Sequence, residues 1–430
     1  MRLRQWAAAA AMASVALLSA CGGGGSSSSN ADIRLVNASA GYASLDLQVD
    51  SKSVNSAVAY GTAGSYGSVT SGTTAQILSG GTTLASTTPT LSGGNKYSLI
   101  AYGWAGAART TLLQEAETAP AAGSTKLLVL NLAPDAGALD IYLTNSTDTL
   151  ESATAIASSI AGGSGSGYNT TTAGTYRVRI TGAGRKDDLR LDIPSVELPS
   201  LQVATLIITP TTGGVLVNAM TLVQTAAVKT FAGTNARVRV VGALGSGAKV
   251  AATRGTTSLL VNSATPAIGE YSAVASGSTA VNVLINDVAQ AAITPALAVG
   301  GDYTLLVWGT PADPHISVIS DDNRLPTTTG QAKVRLINGV GNLPGGMSMT
   351  VDYVAIASNV GQGAASTFAA VTATTGAQLA ITSPNYSDTL FPPATQTTLT
   401  PFVAGGIYNV YMMGDGATFA GIKGVLRRER

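Results

Sequence analysis

Apolar positions in this chain recur at a spacing of two, in short runs separated by Gly, Ser, Thr, Asn and Pro. The clearest run, Tyr176-Arg177-Val178-Arg179-Ile180, alternates apolar and charged side chains. Alternation of this kind puts the apolar residues on one face and is typical of a half-buried β-strand. No segment combines a long apolar period of 3.6 residues with helix caps. The pattern therefore predicts an all-β fold built from short strands.

Self-similarity along the chain groups these strands into four copies. The strand-like starts of the copies end at equivalent positions: Asn37, Asn131, Gly242 and Asn338. These positions are roughly 95–110 residues apart, which is the size of one β-sandwich domain. Three copies share a late strand that opens with two Gly and a Tyr: Tyr97, Tyr303 and Tyr408. We expect each Tyr to bury its ring and to bond a turn carbonyl through its hydroxyl.

We therefore predict four tandem immunoglobulin-like β-sandwich domains. Their predicted ranges, called repeat 1 to repeat 4 from here on, are 31–122, 123–230, 231–328 and 329–430. The boundaries fall in polar, small or Pro-bearing segments, which are typical of linkers. Whether the domains pair or run as a string is left open by the sequence.

Three segments resemble one known family. They are 129–142, 173–179 and 300–307, which are similar to its opening motif, its middle strand and its late strand. The family is the bacterial domain of unknown function numbered 4397. The resemblance extends over successive copies and is clearest at 131–142. It implies an immunoglobulin-like fold in the cell envelope, and it adds no catalytic residue.

Residues 1–20 have the pattern of a lipoprotein signal peptide. Arg2 and Arg4 precede an apolar run, 6–18, which is too short to span a bilayer. The following Leu-Ser-Ala-Cys resembles a lipobox, which implies cleavage before Cys21 and a diacylglycerol on its sulfur. Cys21 is the only cysteine, so an internal disulfide is excluded and lipidation accounts for the thiol. The alternative is an ordinary secretory signal with a chance cysteine.

Residues 21–30 form a predicted tether behind that signal. The segment is a Gly/Ser tract that ends in Asn30, and such tracts behave as flexible coil. In the resembling lipoproteins, Asp after the Cys retains the protein in the inner membrane, and the Gly22 found here favours the outer membrane. We therefore predict an extracytoplasmic, lipid-anchored protein of the bacterial outer membrane, with the periplasmic and the surface face both open. No later apolar run is long enough to span a membrane.

Composition narrows the class of function. The chain is 45% hydrophobic, 11% charged and 5% aromatic, with a formal net charge of +1. This hydrophobic content argues against a disordered chain. A charge near zero gives no basic face for nucleic acid, so no nucleic-acid partner is expected.

Residues for catalysis or metal binding are scarce. His315 is the only histidine, and no nucleophile elbow surrounds it, so we interpret it as a solvated loop residue. A zinc site needs several His or Cys ligands, and we predict no metal, no cofactor and no catalytic residue. The Asp187-Asp188 and Asp321-Asp322 clusters lack a calcium-loop spacing. For the Asp321 cluster we favour a surface turn over a calcium site.

Three aromatic residues are the candidates for ligand contact: Tyr102, Trp104 and Trp308. Large aromatic rings can stack on sugars or anchor a partner. Strand alternation puts Tyr102 and Trp308 on the face opposite the Tyr that opens each late strand. Packing within or between domains is the alternative role for these rings, and the favoured one.

The chain also ends in four basic residues: Lys423, Arg427, Arg428 and Arg430. A solubilising role is one interpretation, and contact with anionic envelope polymers is the other.

The predicted function is a non-enzymatic structural, adhesion or binding module of the cell envelope. Its predicted partners are the membrane, through the lipid on Cys21, and envelope glycans or other surface proteins. The alternative is a carbohydrate-binding lipoprotein that uses Trp104 and Trp308. A hydrolase is a more remote alternative, because no two carboxylates stand out as an acid/base pair.

Overall fold

The computed structural model describes residues 30–245, 247–393 and 399–430. The described residues are mostly strand, and their only helical pieces are two 3-10 turns, Pro134–Ala136 and Phe419–Gly421. The prediction of an all-β fold is confirmed. No helix within the described ranges has the length and hydropathy needed to cross a bilayer. Cys21 and the rest of 1–29 lie outside the described residues.

Repeat 1 forms two facing sheets from eight strands. Its strands are β1 Asn30–Asn37, β2 Ser44–Val49, β3 Lys52–Ala59, β4 Gly67–Thr70, β5 Ala75–Ser79, β6 Thr82–Thr87, β7 Lys96–Tyr102 and β8 Arg109–Gln114. One sheet has the order β4-β1-β7-β8 and the other β3-β2-β5-β6.

Repeat 2 keeps this plan and lengthens one sheet. Its strands are β9 Ser124–Asn131, β10 Leu139–Thr144, β11 Ala155–Ile160, β12 Ser164–Thr172, β13 Gly174–Gly182, β14 Arg185–Leu198, β15 Val203–Pro210, β16 Val217–Val223 and β17 Val228–Phe231. The sheets are β12-β9-β15-β16-β17 and β11-β10-β13-β14.

Repeat 3 divides the edge of its first sheet into short strands. Its strands are β18 Asn235–Gly242, β19 Lys249–Arg254, β20 Thr257–Ala264, β21 Ala267–Ile268, β22 Ser272–Ala275, β23 Gly277–Ser278, β24 Val281–Ile285, β25 Val288–Ala289, β26 Ala296–Leu297, β27 Asp302–Gly309 and β28 Pro314–Asp321. The main sheets are β21-β18-β27-β28, with β22 also on β18, and β20-β19-β24-β25.

Repeat 4 follows repeat 3 closely. Its strands are β29 Gln331–Gly341, β30 Met347–Val351, β31 Val354–Val360, β32 Ala364–Ala365, β33 Ala369–Thr372, β34 Thr374–Ala377, β35 Leu379–Ser383, β36 Tyr386–Phe391, β37 Thr400–Phe402, β38 Ile407–Asp415 and β39 Ile422–Arg428. The main sheets are β32-β29-β38-β39, with β33 also on β29, and β31-β30-β35-β36.

The first strand of every repeat runs parallel to its late strand, a pairing that the sequence did not predict. The parallel pairs are β1 with β7, β9 with β15, β18 with β27, and β29 with β38. In repeat 1 the register places Leu35 beside Leu99, and both side chains enter the core between the two sheets. Each of the other repeats has a core of the same kind.

The outer faces of these parallel pairs are also buried, because the repeats pack on each other in two pairs. Repeats 1 and 2 share an apolar cluster, and so do repeats 3 and 4. The second cluster includes Val241 and Leu306 from repeat 3 with Ile337 and Tyr411 from repeat 4. Strands packed on both faces lose the alternation of buried and exposed positions. β29 and β38 are accordingly buried along almost their whole length, including polar residues such as Arg335 and Asn409.

The Tyr that opens the late strand has the predicted place, but its hydrogen-bond partner is different. The Tyr97 hydroxyl accepts a hydrogen bond from the Ser92 backbone N–H at 2.9 Å. The equivalent hydroxyls of Tyr303 and Tyr408 accept from the backbone N–H five residues earlier, also at 2.9 Å. The expectation of a carbonyl partner was therefore wrong. The hydrogen bond from this turn amide fixes the ring as a bond to a carbonyl would, and it also gives the amide a partner.

Candidate binding site between repeats 3 and 4

Repeats 3 and 4 exchange buried ion pairs beside their shared apolar cluster. Arg239 of repeat 3 donates from Nη1 to Oε1 of Glu429 at 2.7 Å, and its side chain is 0% exposed. In the opposite sense, Arg335 of repeat 4 donates to Asp321 of repeat 3. Buried charges need well-placed partners because desolvation is costly. The two repeats therefore complete each other's charge pairs.

Asp321 is the hub of this network, and the expectation of a surface turn for it was wrong. Its side chain is buried and accepts hydrogen bonds from the hydroxyls of Tyr271 and Thr304, both at 2.6 Å. Burial alone would raise the pKa of this carboxyl, but Arg335 and Arg239 lower it, and the net shift is downward. The pKa of Tyr271 is raised well above its usual value, first by burial and then by the Asp321 charge.

Repeat 1 has a buried ion pair at the equivalent position, but both of its partners belong to repeat 1. Arg34 pairs with Glu115 at 3.0 Å and donates to the Ala226 carbonyl of repeat 2 at 2.8 Å. The register places Arg34, Leu128, Arg239 and Arg335 at equivalent positions of their first strands. The apolar Leu128 explains why repeat 2 needs no buried acid there.

An open cleft lies at one end of the interface between repeats 3 and 4. It has a volume of about 450 Å³ and is lined on one side by Trp308, Asp313 and His315, and on the other by Asn342 and Gln362. The Trp308 and His315 rings are 4.6 Å apart between centroids and are inclined by 32°. Two aromatic rings with a polar rim are the usual composition of a small-molecule site.

Trp308 is held in this cleft by both repeats. Its indole Nε1 donates to the Ser317 hydroxyl at 2.9 Å, within repeat 3. From repeat 4, Gly363 lies so close that an added Cβ would be 2.3 Å from the indole ring. Gly363 has a φ of +71°, a conformation that glycine adopts without strain. The ring is therefore fixed before any ligand arrives.

His315 is half-exposed and belongs to β28, so the expectation of a loop residue was wrong. Its Nε2 lies 3.5 Å from Oδ2 of Asp313. Among the described residues, no group of three or more His, Cys, Asp or Glu side chains is arranged to hold a metal ion. The geometry of the cleft suits stacking and hydrogen bonding.

The other two aromatic candidates lie elsewhere. Tyr102 is 6% exposed and belongs to the cluster between repeats 1 and 2. Trp104 is half-buried: its Nε1 donates to Asp135 of repeat 2 at 2.6 Å, and the Arg324 guanidinium is 4.7 Å from its ring centroid. The structure thus separates Trp104 from the Trp308 cleft and places it where three repeats meet.

Comparison with family models finds one match, to the Domain of unknown function (DUF4397). It covers residues 31–142 and 236–345, which together exceed half of the chain. The chain belongs to the DUF4397 family. The matched regions begin in the first strands of repeats 1 and 3. The first extends into the second strand of repeat 2, and the second ends just after the first strand of repeat 4. Tandem copies of a DUF4397 domain are what the sequence predicted.

No curated protein matches the chain. Among solved structures it is similar to a "putative cell adhesion protein" from Bacteroides uniformis, at 13% identity over 46% of this chain and 98% of that one, with a TM-score of 0.22. A second protein of that description, from Bacteroides ovatus, has 12% identity over 47% and 96% of the chains and a TM-score of 0.20. The Bacillus anthracis TIE protein has 9% identity over 85% and 65%, with a TM-score of 0.16. Similarities of this size carry no argument about function.

Sequence reasoning about this DUF4397 protein missed the exchanged ion pairs. The signal was present: an Arg stands three residues before each of the equivalent positions Asn37, Gly242 and Asn338. The strand that follows the late strand of repeats 1, 3 and 4 has an acid at its end or directly after it, at equivalent positions: Glu115, Asp321 and Glu429. Aligning the copies would have revealed both positions, but it would not have shown that the partners cross between repeats.

Proposed function

We propose that this DUF4397 protein is a lipid-anchored, non-enzymatic adhesion or binding protein of the bacterial cell envelope. Cys21 carries the lipid, the Gly/Ser segment from Gly22 up to β1 is the tether, and repeats 1 to 4 are four sandwich domains outside the cytoplasm. The predicted tether bound at Asn30 was wrong by one residue, because β1 begins there. The lipobox-like sequence before Cys21 supports the anchor. Gly22 supports the outer membrane as the location.

The observation that carries this proposal is that buried charged side chains connect one repeat to the next. Arg239 and Arg335, with their acids, join repeat 3 to repeat 4. Arg34 likewise reaches the Ala226 carbonyl of repeat 2. Such networks fix the relative placement of packed elements. A fixed body on a flexible tether presents a binding surface at a distance from the membrane.

Protease shaving of intact cells tests this proposal, with an antibody against 329–430 as the readout. We expect the chain to sediment with membranes. Loss of the antibody signal without lysis would support adhesion at the cell surface, and protection in intact cells would support binding inside the periplasm. Recovery of the full-length chain in the cytosolic fraction would overturn the proposal.

A second candidate function is carbohydrate binding, and the Trp308 cleft favours it. The fixed pair of Trp308 and His315 offers aromatic surface for a sugar ring, and Asn342 and Gln362 offer amide groups for its hydroxyls. The volume of about 450 Å³ suits one or two sugar units.

Tryptophan fluorescence tests the cleft. Trp104→Phe leaves Trp308 as the only tryptophan after residue 20, so quenching reports on the cleft alone. Titration with O-polysaccharide and peptidoglycan fragments should give saturable quenching that His315→Ala weakens. Tyr353→Ala, which removes an exposed aromatic ring of repeat 4, is the matched control and should bind as the parent does. A flat titration across the panel would exclude this function.

A further inference from the structure

A second cavity, of about 560 Å³, lies where repeats 2, 3 and 4 meet. Its wall is unusually rich in guanidinium groups: Arg185, Arg190, Arg237, Arg427 and Arg430. Four carboxylates also line it: Asp187, Asp188, Glu270 and Glu429.

Four of the five arginines have a carboxylate partner. Arg237 binds both oxygens of Asp302, at 2.8 and 2.5 Å. Arg190 binds Asp188 at 2.5 Å, and Arg185 binds Asp187 at 3.0 Å. The fourth, Arg427, contacts Glu270 at 2.7 Å and Glu429 at 3.5 Å.

Arg430 is different. Among the described residues, no carboxylate lies within ion-pair distance of its guanidinium, whose Nη1 makes a long contact of 3.5 Å to the Gly214 carbonyl. Burial lowers the pKa of Arg430 to about 10. The neighbouring Arg190 and Arg237 charges add to that shift, and the Asp135 and Asp302 charges oppose it. A cation that is partly desolvated beside two other cations is unfavourable unless an anion joins it.

Two buried polar atoms of residues in the same wall have no hydrogen-bond partner. Asn323 is 2% exposed and lines the cavity. Its amide nitrogen donates to Asp302 at 2.8 Å and to the Tyr271 hydroxyl at 3.2 Å, which leaves Oδ1 without a hydrogen-bond partner. Nε of Arg190, on the repeat 2 side, is also unpaired. Buried polar atoms normally have partners. The unpaired Arg190 N–H is a donor that an anionic oxygen would satisfy, whereas Asn323 Oδ1 is an acceptor that only a hydroxyl of the ligand would satisfy.

We propose that this cavity binds a small oxyanion, a carboxylate or a phosphate group, through Arg430 with support from Arg190 and Arg237. Guanidinium groups match the planar geometry of such groups and bond them through two parallel N–H donors. The cavity is large enough for one acidic sugar or one phosphorylated group. Arg427, Arg428 and Arg430 then have distinct roles: the first pairs with protein acids, the second is exposed, and the third meets the ligand.

Calorimetric titration of the full chain with glucuronate, inorganic phosphate and glucose tests the proposal. We expect at least one of the two anions to bind and glucose not to bind. Arg430→Gln should weaken anion binding by about tenfold or more, as the loss of a charge-assisted hydrogen bond predicts. Lys423→Gln removes an exposed cation from the same strand, β39, and should leave the affinity unchanged. Tighter binding of glucuronate would identify an acidic sugar as the source of the anion, and tighter binding of phosphate a phosphorylated group.

Thermal unfolding gives a second readout of anion binding, independent of calorimetry. The anion that binds should raise the Tm of the wild-type chain and of Lys423→Gln, because a ligand that binds only the folded state stabilises it. It should leave the Tm of Arg430→Gln unchanged. Binding of neither anion, equal binding of glucose and glucuronate, or undiminished affinity in Arg430→Gln would overturn the proposal.

Discussion

Arg239 of repeat 3 donates to Glu429 of repeat 4 across 2.7 Å, and 190 residues of chain separate the two. The Glu429 carboxylate also accepts from the Asn409 side chain at 2.8 Å. Because Arg335 and Asp321 pair in the opposite direction, each repeat supplies an acid that the other needs. This exchange makes the interface between the repeats selective for one arrangement.

Glu429→Gln should destabilise the chain strongly. The change leaves the Arg239 charge buried without its anion, and breaking a buried pair from one side costs about 3–5 kcal/mol. Urea unfolding of the full chain measures the loss as a lower midpoint of the transition that includes repeats 3 and 4.

Asp187→Asn is the matched control for that variant, because it neutralises the acid of an exposed pair with Arg185. Exposed pairs are screened by water and salt, so this midpoint should not move. A double variant, Arg239→Met with Glu429→Met, should recover most of the stability lost in Glu429→Gln. Equal losses in Glu429→Gln and Asp187→Asn would contradict the role of the exchanged pair.

Part of this architecture could be predicted from sequence, because it depends on residues that are close together in the chain. Alternation in β7 and β27 places Tyr97 in the core and Tyr102 and Trp308 on the opposite face, as a spacing of two requires. The two Gly that stand shortly before the Tyr likewise identify the turn that precedes the late strand. Such features depend on a few neighbouring residues and on the pleat of one strand.

The exchanged pairs could not be predicted in this way. Asp321 stands in a short polar stretch that is typical of a surface turn, yet its side chain is 0% exposed. Its burial results from the approach of repeat 4, a contact between residues far apart in the chain. The parallel pairing of first and late strands is also a long-range choice, which short-range patterns do not encode.

Gly363→Ala should disturb the Trp308 cleft. A Cβ at Gly363 would meet the indole ring at 2.3 Å, so Trp308 must shift, in addition to the backbone penalty of about 1–2 kcal/mol at positive φ. We expect a lower Tm and a red-shifted Trp308 emission in the Trp104→Phe background.

Gly330→Ala separates these two effects. Gly330 has a φ of +80°, and an added Cβ there would contact nothing within 4 Å. This control should show the backbone penalty without the emission shift. An unchanged emission in Gly363→Ala would contradict the described contact.

Tyr97→Phe should cost about 1 kcal/mol of unfolding free energy, because the Ser92 N–H loses its acceptor in a partly buried turn. Denaturant unfolding measures the change. Tyr353→Phe, at an exposed Tyr, should be neutral. A neutral Tyr97→Phe would show that water replaces the hydroxyl at no cost.

Alkaline pH should destabilise the chain through its buried tyrosines. Burial and the Asp321 charge raise the pKa of Tyr271 in the folded state, whereas the unfolded chain releases this proton near pH 10. The contribution is therefore complete below about pH 10 and is lost as the pH rises above that value. Stability measured from pH 9 to 11.5 should fall less steeply in Tyr271→Phe than in the wild type. Tyr353→Phe should keep the wild-type slope, and equal slopes in all three proteins would contradict the assignment.

Mass spectrometry of the N-terminal peptide, taken from the membrane fraction of cells that produce the chain, shows directly whether Cys21 is the lipid anchor. An envelope-anchored protein should lack residues 1–20 and begin at Cys21 with the added mass of a diacylglycerol group, and Cys21→Ser should abolish that species. A wild-type chain that retains residues 1–20, or that begins at Cys21 without added lipid mass, would contradict the account.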